Sequence, residues 1–251
     1  MANKAAGEQY EMSFFDHLEE LRLRIGLAFL GVVIGCVIAG AFVDQLMNWI
    51  LLRPAAEVNL ELQNLRPFGQ AFLYFKVIIT AGLIISMPFT LYQLWKFIAP
   101  GLYEKERAWA GKITTFTSLC FLAGVAFSYW IMIPVMLSFT ASFGSTLIKN
   151  SIDVTEYFSF ITTTMLSAGL IFELPMIAYI LARIGIINPQ MLRSYRRHSI
   201  VVILVLAAAL TPSTDPISQL VFAAPLWLLY EISILVTVFA GKKNQHITTV
   251  E

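Results

Sequence analysis

Six apolar runs separated by short polar segments restrict this chain more than any other feature. The runs cover residues 25–43, 75–98, 113–139, 157–181, 199–210 and 217–240. A helix needs about 20 apolar residues to cross a hydrocarbon core about 30 Å thick. We therefore predict an all-α integral membrane protein with six transmembrane helices. Prolines inside several runs predict bent helices that form a concave bundle with two short spans at its C-terminal end.

The composition agrees with a membrane protein and excludes a soluble enzyme. Only 13% of the 251 residues are charged, about half the share of a soluble domain, and the mean hydropathy is +0.73. The net charge of +1 gives no overall field that would attract nucleic acid. Without repeats or low-complexity tracts, we predict one membrane domain over residues 13–240. It is flanked by cytoplasmic tails at residues 1–12 and 241–251.

The fifth apolar run is too short for an ordinary bilayer. At 1.5 Å per residue, its 12 to 14 residues span only about 20 Å. Residues 211–216 read Thr-Pro-Ser-Thr-Asp-Pro, and two prolines with capping residues leave room only for a tight connection. We predict a shallow hairpin of the fifth and sixth helices beside a locally thinned membrane.

Basic residues are distributed unevenly between the two sides of the predicted bundle. Thirteen of the 17 lysines and arginines fall on one side, namely Lys4, Arg22, Arg24, Lys96, Lys105, Arg107, Lys112, Arg183, Arg193, Arg196, Arg197, Lys242 and Lys243. Because Lys and Arg concentrate in cytoplasmic loops, both termini are predicted to be cytoplasmic. Trp130 is then expected near the outer interface, and Trp49 in an outer loop, residues 44–74, long enough to carry a short helix.

An acidic and basic segment precedes the first span. It reads His17-Leu18-Glu19-Glu20-Leu21-Arg22-Leu23-Arg24. Its apolar positions share one helical face, which predicts an amphipathic helix that leads into the membrane. Taken alone, Glu20 and Arg24 indicate an ordinary ion pair one turn apart, worth a few tenths of a kcal/mol.

The loop after the second span carries a second group of charges. Pro100-Gly101 is expected to end the helix that contains Phe97, and Glu106 and Arg107 follow in the restarted helix. Because the charges are of both signs, this segment alone indicates only a solvated cytoplasmic turn.

Polar residues within the last spans suggest a functional interior. Glu173 precedes Pro175 inside the fourth span, and Glu231 and Gln219 lie on the sixth. An ionisable group in hydrocarbon is costly unless it faces protein or water. One alternative function is therefore a small ion-coupled transporter with Glu173 and Glu231 as proton carriers, although we see no internal symmetry.

Catalysis is not predicted. The Glu-Glu-x-x-x-Arg pattern at residues 19–24 matches one class of intramembrane protease, whose mechanism requires histidines on other spans. The three histidines, His17, His198 and His246, all lie outside the spans. No metal-binding pattern, nucleophile with a base, or phosphate-binding loop is apparent, so no metal or other cofactor is expected.

Taken together, these segments closely resemble the TatC family. Its signatures are matched by residues 17–22 before the first span, by Phe-Ile-Ala-Pro-Gly-Leu-Tyr at 97–103 with Glu-Arg at 106–107, by Phe-Glu-Leu-Pro at 172–175, and by Leu-Thr-Pro at 210–212 with Asp215 and Gln219. All occur in the family's order. The similarity covers about residues 12 to 240.

The resemblance implies a core receptor of the twin-arginine export system in a bacterial inner membrane, or in a thylakoid membrane, where the family also occurs. Such a receptor binds signal peptides with consecutive arginines and assembles with TatA-type and TatB-type subunits in an oligomeric complex. It moves folded proteins with the proton gradient.

The resemblance also assigns residues to roles. Glu20 and Glu106 correspond to the carboxylates that receive the two arginines, with Arg22 and Phe97 beside them. Glu173 corresponds to a polar residue within the concave face. By the same resemblance, the outer end of the last hairpin is formed by Thr211, Pro212, Asp215 and Gln219. Two adjacent acids, Glu19 and Glu20, stand where the family usually has one, so which of them pairs with an arginine stays open.

Overall fold

The structure, a computed structural model, describes residues 14–58, 60–98, 110–142, 151–210 and 216–245. In chain order its elements are α1 (Phe14–Ala41), α2 (Val43–Gln45), the π-helix π1 (Leu46–Leu51), α3 (Arg53–Glu57), β1 (Glu61–Gln63), α4 (Gly69–Ile98), α5 (Ala110–Phe127), the π-helix π2 (Ser128–Met132), α6 (Ile133–Ser142), β2 (Ser151–Asp153), α7 (Val154–Ile171), α8 (Leu174–Arg183), α9 (Pro189–Ser194), α10 (Arg196–Leu210) and α11 (Pro216–Gln245).

The described residues include five helical stretches long and apolar enough to cross a membrane. They are Phe15–Ala41, Gly69–Ile98, Ile113–Thr140, Val154–Arg183 and Gln219–Phe239. The remaining predicted span corresponds to α10, whose 15 residues extend about 22 Å. The helical, multi-span prediction is confirmed. As predicted, α10 is short for a span, and α11 extends from Pro216 to Gln245.

The helices α1 and α4 form the most extensive helix pair of the described structure. They approach so closely that a Cβ atom added to Gly35 would lie 2.4 Å from the Gly82 carbonyl oxygen. A Cβ on Gly82 would likewise lie 2.7 Å from the Cα of Cys36. Glycine at both positions lets the backbones touch, as small residues do at helix crossings in membranes.

Short elements cover the end of the bundle opposite the α1 N-terminus. The short helix predicted within residues 44–74 is represented by α2, π1 and α3. Tyr129 donates its hydroxyl hydrogen to the carbonyl of Ile50 at 3.0 Å, and Tyr157 donates to Leu51 at 2.8 Å. These bonds satisfy carbonyls at the C-terminus of π1, which the helix itself leaves unpaired.

Asp153 connects two loops at this end of the bundle. It caps α7 by accepting from the backbone N–H of Thr155 at 2.8 Å and of Glu156 at 3.3 Å. It also accepts from the N–H of Leu65 at 3.3 Å, beside the parallel pairing of β1 with β2. Burial raises the pKa of Asp153, but these hydrogen bonds outweigh it and hold the pKa below its ordinary value.

Proline interrupts one span and leaves two others continuous. The fourth span breaks at Phe172 and Glu173, and α8 restarts with Pro175 in its first turn. Because proline has no N–H and its ring clashes with the preceding turn, it favours a new helix start. In contrast, α4 and α11 continue as helices through Pro88 and Pro225.

Candidate functional site

Glu20 lies where the first turns of α1 pack against the last turns of α4. Arg24 donates from Nη2 to Glu20 Oε1 at 3.1 Å and from Nη1 to Gln93 Oε1 at 3.2 Å. The Glu20 and Arg24 side chains are only 18% and 16% exposed. The predicted pair exists, but it is partly buried and bound to a second helix rather than isolated on a solvated face.

A ring stack joins the same two helices one turn nearer their ends. The His17 and Phe97 rings stack with centroids 4.4 Å apart and planes 15° from parallel. Within each helix, residues three or four apart share a face, so Glu20 lies between this stack and the Arg24–Gln93 hydrogen bond. Two motifs far apart in sequence therefore meet at one end of the bundle.

Only one of the two Glu20 carboxylate oxygens has a hydrogen-bond partner among the described residues. Oε1 accepts from Arg24, whereas Oε2 is buried and has no hydrogen-bond partner among the described residues, as is also true of Nε of Arg24. A buried carboxylate oxygen without a donor is unfavourable. A planar guanidinium has donors suited to this oxygen, but Oε2 is buried and must be uncovered before a further partner can reach it.

Neighbouring charged residues of the motif point elsewhere. Glu19 and Arg22 are exposed, and the structure gives neither a hydrogen bond nor an ion pair to the described residues. Glu20 is thus the acid that faces α4. Glu106 and Arg107 lie outside the described residues, beyond the end of α4 at Ile98.

Glu173 is buried at the break between α7 and α8. It is 5% exposed, and within the part of the chain that the structure describes neither carboxylate oxygen has a hydrogen-bond partner. Cys120 on α5 is close enough to interact with it electrostatically. Glu173 precedes α8, but its carboxyl makes no capping hydrogen bond to that helix.

Glu231 and Gln219 connect α11 to the short helix beside it. Glu231 Oε2 accepts from Arg196 Nη2 at 2.7 Å, with the side chains 24% and 50% exposed. Gln219 donates to the carbonyl of Leu204 at 2.8 Å. Glu231 lies within the span Gln219–Phe239 and is ion-paired with the first residue of α10, which is a poor arrangement for a proton carrier inside the membrane. Thr211, Pro212 and Asp215 lie outside the described residues.

Two contributors to the site were missing from the sequence-based assignment. Gln93 is 5% exposed inside a span. A polar side chain within an apolar span is unusual, and this feature of the sequence could have indicated a role for Gln93. His17 belongs to the quoted motif, but its role in supporting Phe97 depends on a contact that only the fold provides. Among the described residues, no group of His, Cys, Asp and Glu could hold a metal ion.

Comparisons with known proteins agree on one family. The family model for "Sec-independent protein translocase protein (TatC)" matches residues 16–225. The Sec-independent protein translocase protein TatC of Carboxydothermus hydrogenoformans is 36% identical over 237 residues, which cover 94% of this chain and 97% of that protein. The chloroplastic protein of the same name from Pisum sativum is 38% identical over 88% of this chain and 62% of its own length.

Solved structures agree as well. A crystal structure of the twin-arginine translocase receptor TatC superposes with a TM-score of 0.81 at 35% identity, over 89% of this chain and 99% of that one. A second structure of the receptor, in the detergent DDM, gives a TM-score of 0.80 at 36% identity, over 87% and 98% of the two chains. The chain therefore belongs to the TatC family of Sec-independent protein translocase proteins.

Proposed function

We propose that this TatC-family protein binds twin-arginine signal peptides at its cytoplasmic face, with Glu20 and Glu106 receiving the two arginines. Membership in the family makes the chain a multi-pass membrane subunit of a protein translocase rather than an enzyme, and it replaces the transporter alternative. How the peptide is recognised is the part we infer.

The observation that carries the proposal is the meeting of two motifs around Glu20. The His17–Phe97 stack and the Arg24–Gln93 hydrogen bond fix the α1 motif against the end of α4. The chain that leaves α4 after Phe97 leads directly to the segment that carries Glu106. A peptide with two adjacent guanidinium groups needs two acidic partners near each other, and this arrangement supports such a pair.

Glu20 is the better candidate than Glu19 for the α1 carboxylate. Glu20 faces α4, and its buried Oε2 has no hydrogen-bond donor among the described residues. Glu19 is exposed. We expect Arg22 to contribute positive charge at the rim of the site, and Phe97 to provide an apolar surface next to the arginines.

We further propose six spans with both termini in the cytoplasm of a bacterium and the protein in its inner membrane. Support comes from the bias of Lys and Arg, including Lys96 and Arg183 in the last turns of α4 and α8. In this topology α10 is the fifth span. Because it is short, the membrane beside it is expected to be thin, which favours partners with short spans of their own.

The partners that we infer are TatA-type and TatB-type subunits in an oligomeric receptor complex, driven by the proton gradient. Glu173, buried without a partner, and the outer residues Thr211, Pro212, Asp215 and Gln219 are proposed to act in assembly rather than in arginine recognition. Glu231, held by Arg196, is proposed to fix α11 against the start of α10.

Photocrosslinking in membranes tests the receptor proposal. A twin-arginine signal peptide with a photoreactive residue is added to the full-length chain with TatB present, and wild type is compared with Glu20→Gln and Glu106→Gln. We expect crosslinks at the cytoplasmic end of α1 and α4 to fall by about tenfold or more in each variant, and also with a two-lysine peptide.

Glu19→Gln is the matched comparison, since it removes the adjacent charge from the exposed face. Its crosslinking should equal that of wild type. If a correctly inserted wild type does not crosslink, the receptor proposal fails. If Glu19→Gln loses the peptide and Glu20→Gln retains it, the assignment moves to Glu19.

A further inference from the structure

We infer that the arginine-rich connection between α8 and α10 binds the phosphate group of an anionic phospholipid such as phosphatidylglycerol. The connection covers residues 184–195 and includes the short helix α9, and two further arginines open α10. It lies at the end of the bundle where α4 and α8 both end and pack together through Trp95 and Ile180. The inference depends on the membrane assignment and does not depend on signal-peptide recognition.

This stretch of the chain carries positive charge without acidic residues of its own. Residues 174–214 contain no Asp or Glu. Their arginines are Arg183, Arg193, Arg196 and Arg197. Arg183 donates to a tyrosine hydroxyl of α8 at 3.2 Å, and Arg196 is ion-paired with Glu231 of α11. Arg193 and Arg197 are exposed, and the structure gives their guanidinium groups neither an ion pair nor a hydrogen bond to the described residues. Two cations are therefore available to an external anion.

Contacts with α11 hold this arginine-rich segment in a defined place. The hydroxyl of Tyr230 donates to the carbonyl of Leu192 in α9 at 2.6 Å. Arg196 Nη2 donates to Glu231 Oε2 at 2.7 Å and fixes the first residue of α10. Both contacts tie the connection to a long helix that crosses the membrane, so its free arginines are positioned before a ligand binds.

The two free arginines are also close to each other. Tyr195 joins α9 to α10, and helical hydrogen bonds continue through it. Its N–H donates to the Met191 carbonyl at 3.1 Å, and its carbonyl accepts from the N–H of Ser199 at 2.9 Å. Arg193 and Arg197 therefore lie about one helical turn apart. Two guanidinium groups at this spacing can bind the oxygens of one phosphodiester.

Exposed apolar side chains between the arginines favour a membrane surface over a soluble anion. Ile186 is 63% exposed, Tyr195 is 51% exposed and Met191 is 44% exposed. All three lie outside the stretches that are long and apolar enough to cross the membrane, so the hydrocarbon core does not account for their exposure. Basic residues interleaved with apolar ones are typical of segments that lie in the interface of a membrane with anionic lipids.

The short length of α10 brings Arg197 close to the lipid phosphates. The helix has 15 residues and extends about 22 Å, which is less than a hydrocarbon core of about 30 Å. Arg197, its second residue, is therefore drawn toward the hydrocarbon, where a guanidinium without a counter-ion is unfavourable. A lipid phosphate held by Arg193 and Arg197 supplies that counter-ion.

The experiment uses the full chain in phosphatidylcholine nanodiscs that contain a phosphatidylglycerol with a photoreactive headgroup, and mass spectrometry locates the labelled residues. We expect labelling within residues 184–199, and at least about a fivefold loss in the double variant Arg193→Gln/Arg197→Gln. Arg53→Gln/Arg66→Gln is the matched control, because it removes the same charge from exposed positions at the opposite end of the bundle. Its labelling of residues 184–199 should equal that of wild type.

Competition with unlabelled compounds identifies the ligand. Phosphatidylglycerol should remove the label at least about threefold more effectively than phosphatidylethanolamine, whose ammonium group would face the arginines. Excess inorganic phosphate should leave the label in place. Equal labelling of the two double variants, or equal competition by the two lipids, would overturn the proposal. Displacement by inorganic phosphate would assign the segment to a soluble anion, and displacement by hexaglutamate would assign it to an acidic protein partner. Either result would also overturn the lipid assignment.

Discussion

Arg24 already occupies one oxygen of Glu20, with a 3.1 Å hydrogen bond from Nη2 to Oε1. The same guanidinium is held by Gln93 on α4 at 3.2 Å. A resident arginine therefore lies where the proposed receptor would accept the arginine of a signal peptide. It balances the partly buried carboxylate, and under the proposed function it would compete with the arginine of the peptide.

Replacing Arg24 should separate these two effects. In Arg24→Gln, Glu20 loses its resident cation, so we expect the free energy of unfolding to fall by about 1–3 kcal/mol. We expect the affinity for a twin-arginine peptide to rise by about threefold or more, because the carboxylate is then uncompensated. Thermal unfolding and peptide titration in nanodiscs measure the two effects.

Arg66→Gln is the control for the loss of one positive charge. Arg66 is exposed at the opposite end of the bundle, and this variant should bind the peptide as wild type does. If Arg24→Gln instead weakens binding as much as Glu20→Gln, then Arg24 supports the bound peptide and does not compete with it.

The His17–Phe97 stack predicts a second measurable effect. Aromatic pairs contribute about 0.5–1.5 kcal/mol beyond burial, and this pair aligns the end of α4 with the α1 motif. His17→Ala should weaken peptide binding by about threefold to tenfold, whereas His17→Phe, which retains a ring, should bind nearly as wild type. Equal losses in both variants would show that the imidazole contributes through its polarity rather than through the stack.

The sequence predicted the membrane helices and the family motifs because both are local patterns. Length and hydropathy indicate the span of α4, and the Glu20–Arg24 pair follows from a spacing of four residues. Gln93 and His17 were not assigned roles because their partners lie on another helix. The break at Glu173 but not at Pro88 or Pro225 depends on how each helix is packed, which composition does not encode.

The buried carboxyl of Glu173 is expected to lower the stability of the folded protein and to be needed for export. A buried carboxyl without a hydrogen-bond partner costs about 1–3 kcal/mol, so Glu173→Leu should raise the unfolding temperature. We expect export of a twin-arginine reporter to fall in the same variant. Glu173→Gln, which keeps the shape, is the companion variant. Loss of stability together with loss of export in Glu173→Leu would contradict a functional role and indicate a structural one.

Asp153 predicts loss of stability in acid. Its pKa is lowered in the folded protein, since hydrogen bonds from Thr155, Leu65 and Glu156 outweigh the effect of burial. The unfolded chain therefore takes up the proton first, near the ordinary aspartate pKa of about 3.9. The stabilisation is complete well above that pH and is lost as the pH falls through the lower folded value.

Unfolding temperatures of wild type and Asp153→Asn between pH 7 and pH 3 measure this contribution. Asp153→Asn should be less stable at pH 7, because an amide carbonyl is a weaker acceptor for three N–H groups, and the difference should shrink in acid. A constant difference across the whole range would contradict the assignment.

The close contact between Gly35 and Gly82 fixes the crossing of α1 and α4, the two helices that carry Glu20 and Phe97 of the proposed peptide site. A methyl group on Gly35 would lie 2.4 Å from the Gly82 carbonyl oxygen, which is backbone and cannot rotate away. Gly35→Ala must therefore separate α1 from α4. We expect it to destabilise the protein by about 1–3 kcal/mol and to weaken peptide binding, because Glu20 and Phe97 belong to these two helices.

Gly26→Ala is the control, since a Cβ there would meet nothing within 4 Å, and alanine favours a helix by about 0.5–1 kcal/mol. If both variants unfold and bind alike, the close crossing of α1 and α4 does not position the site.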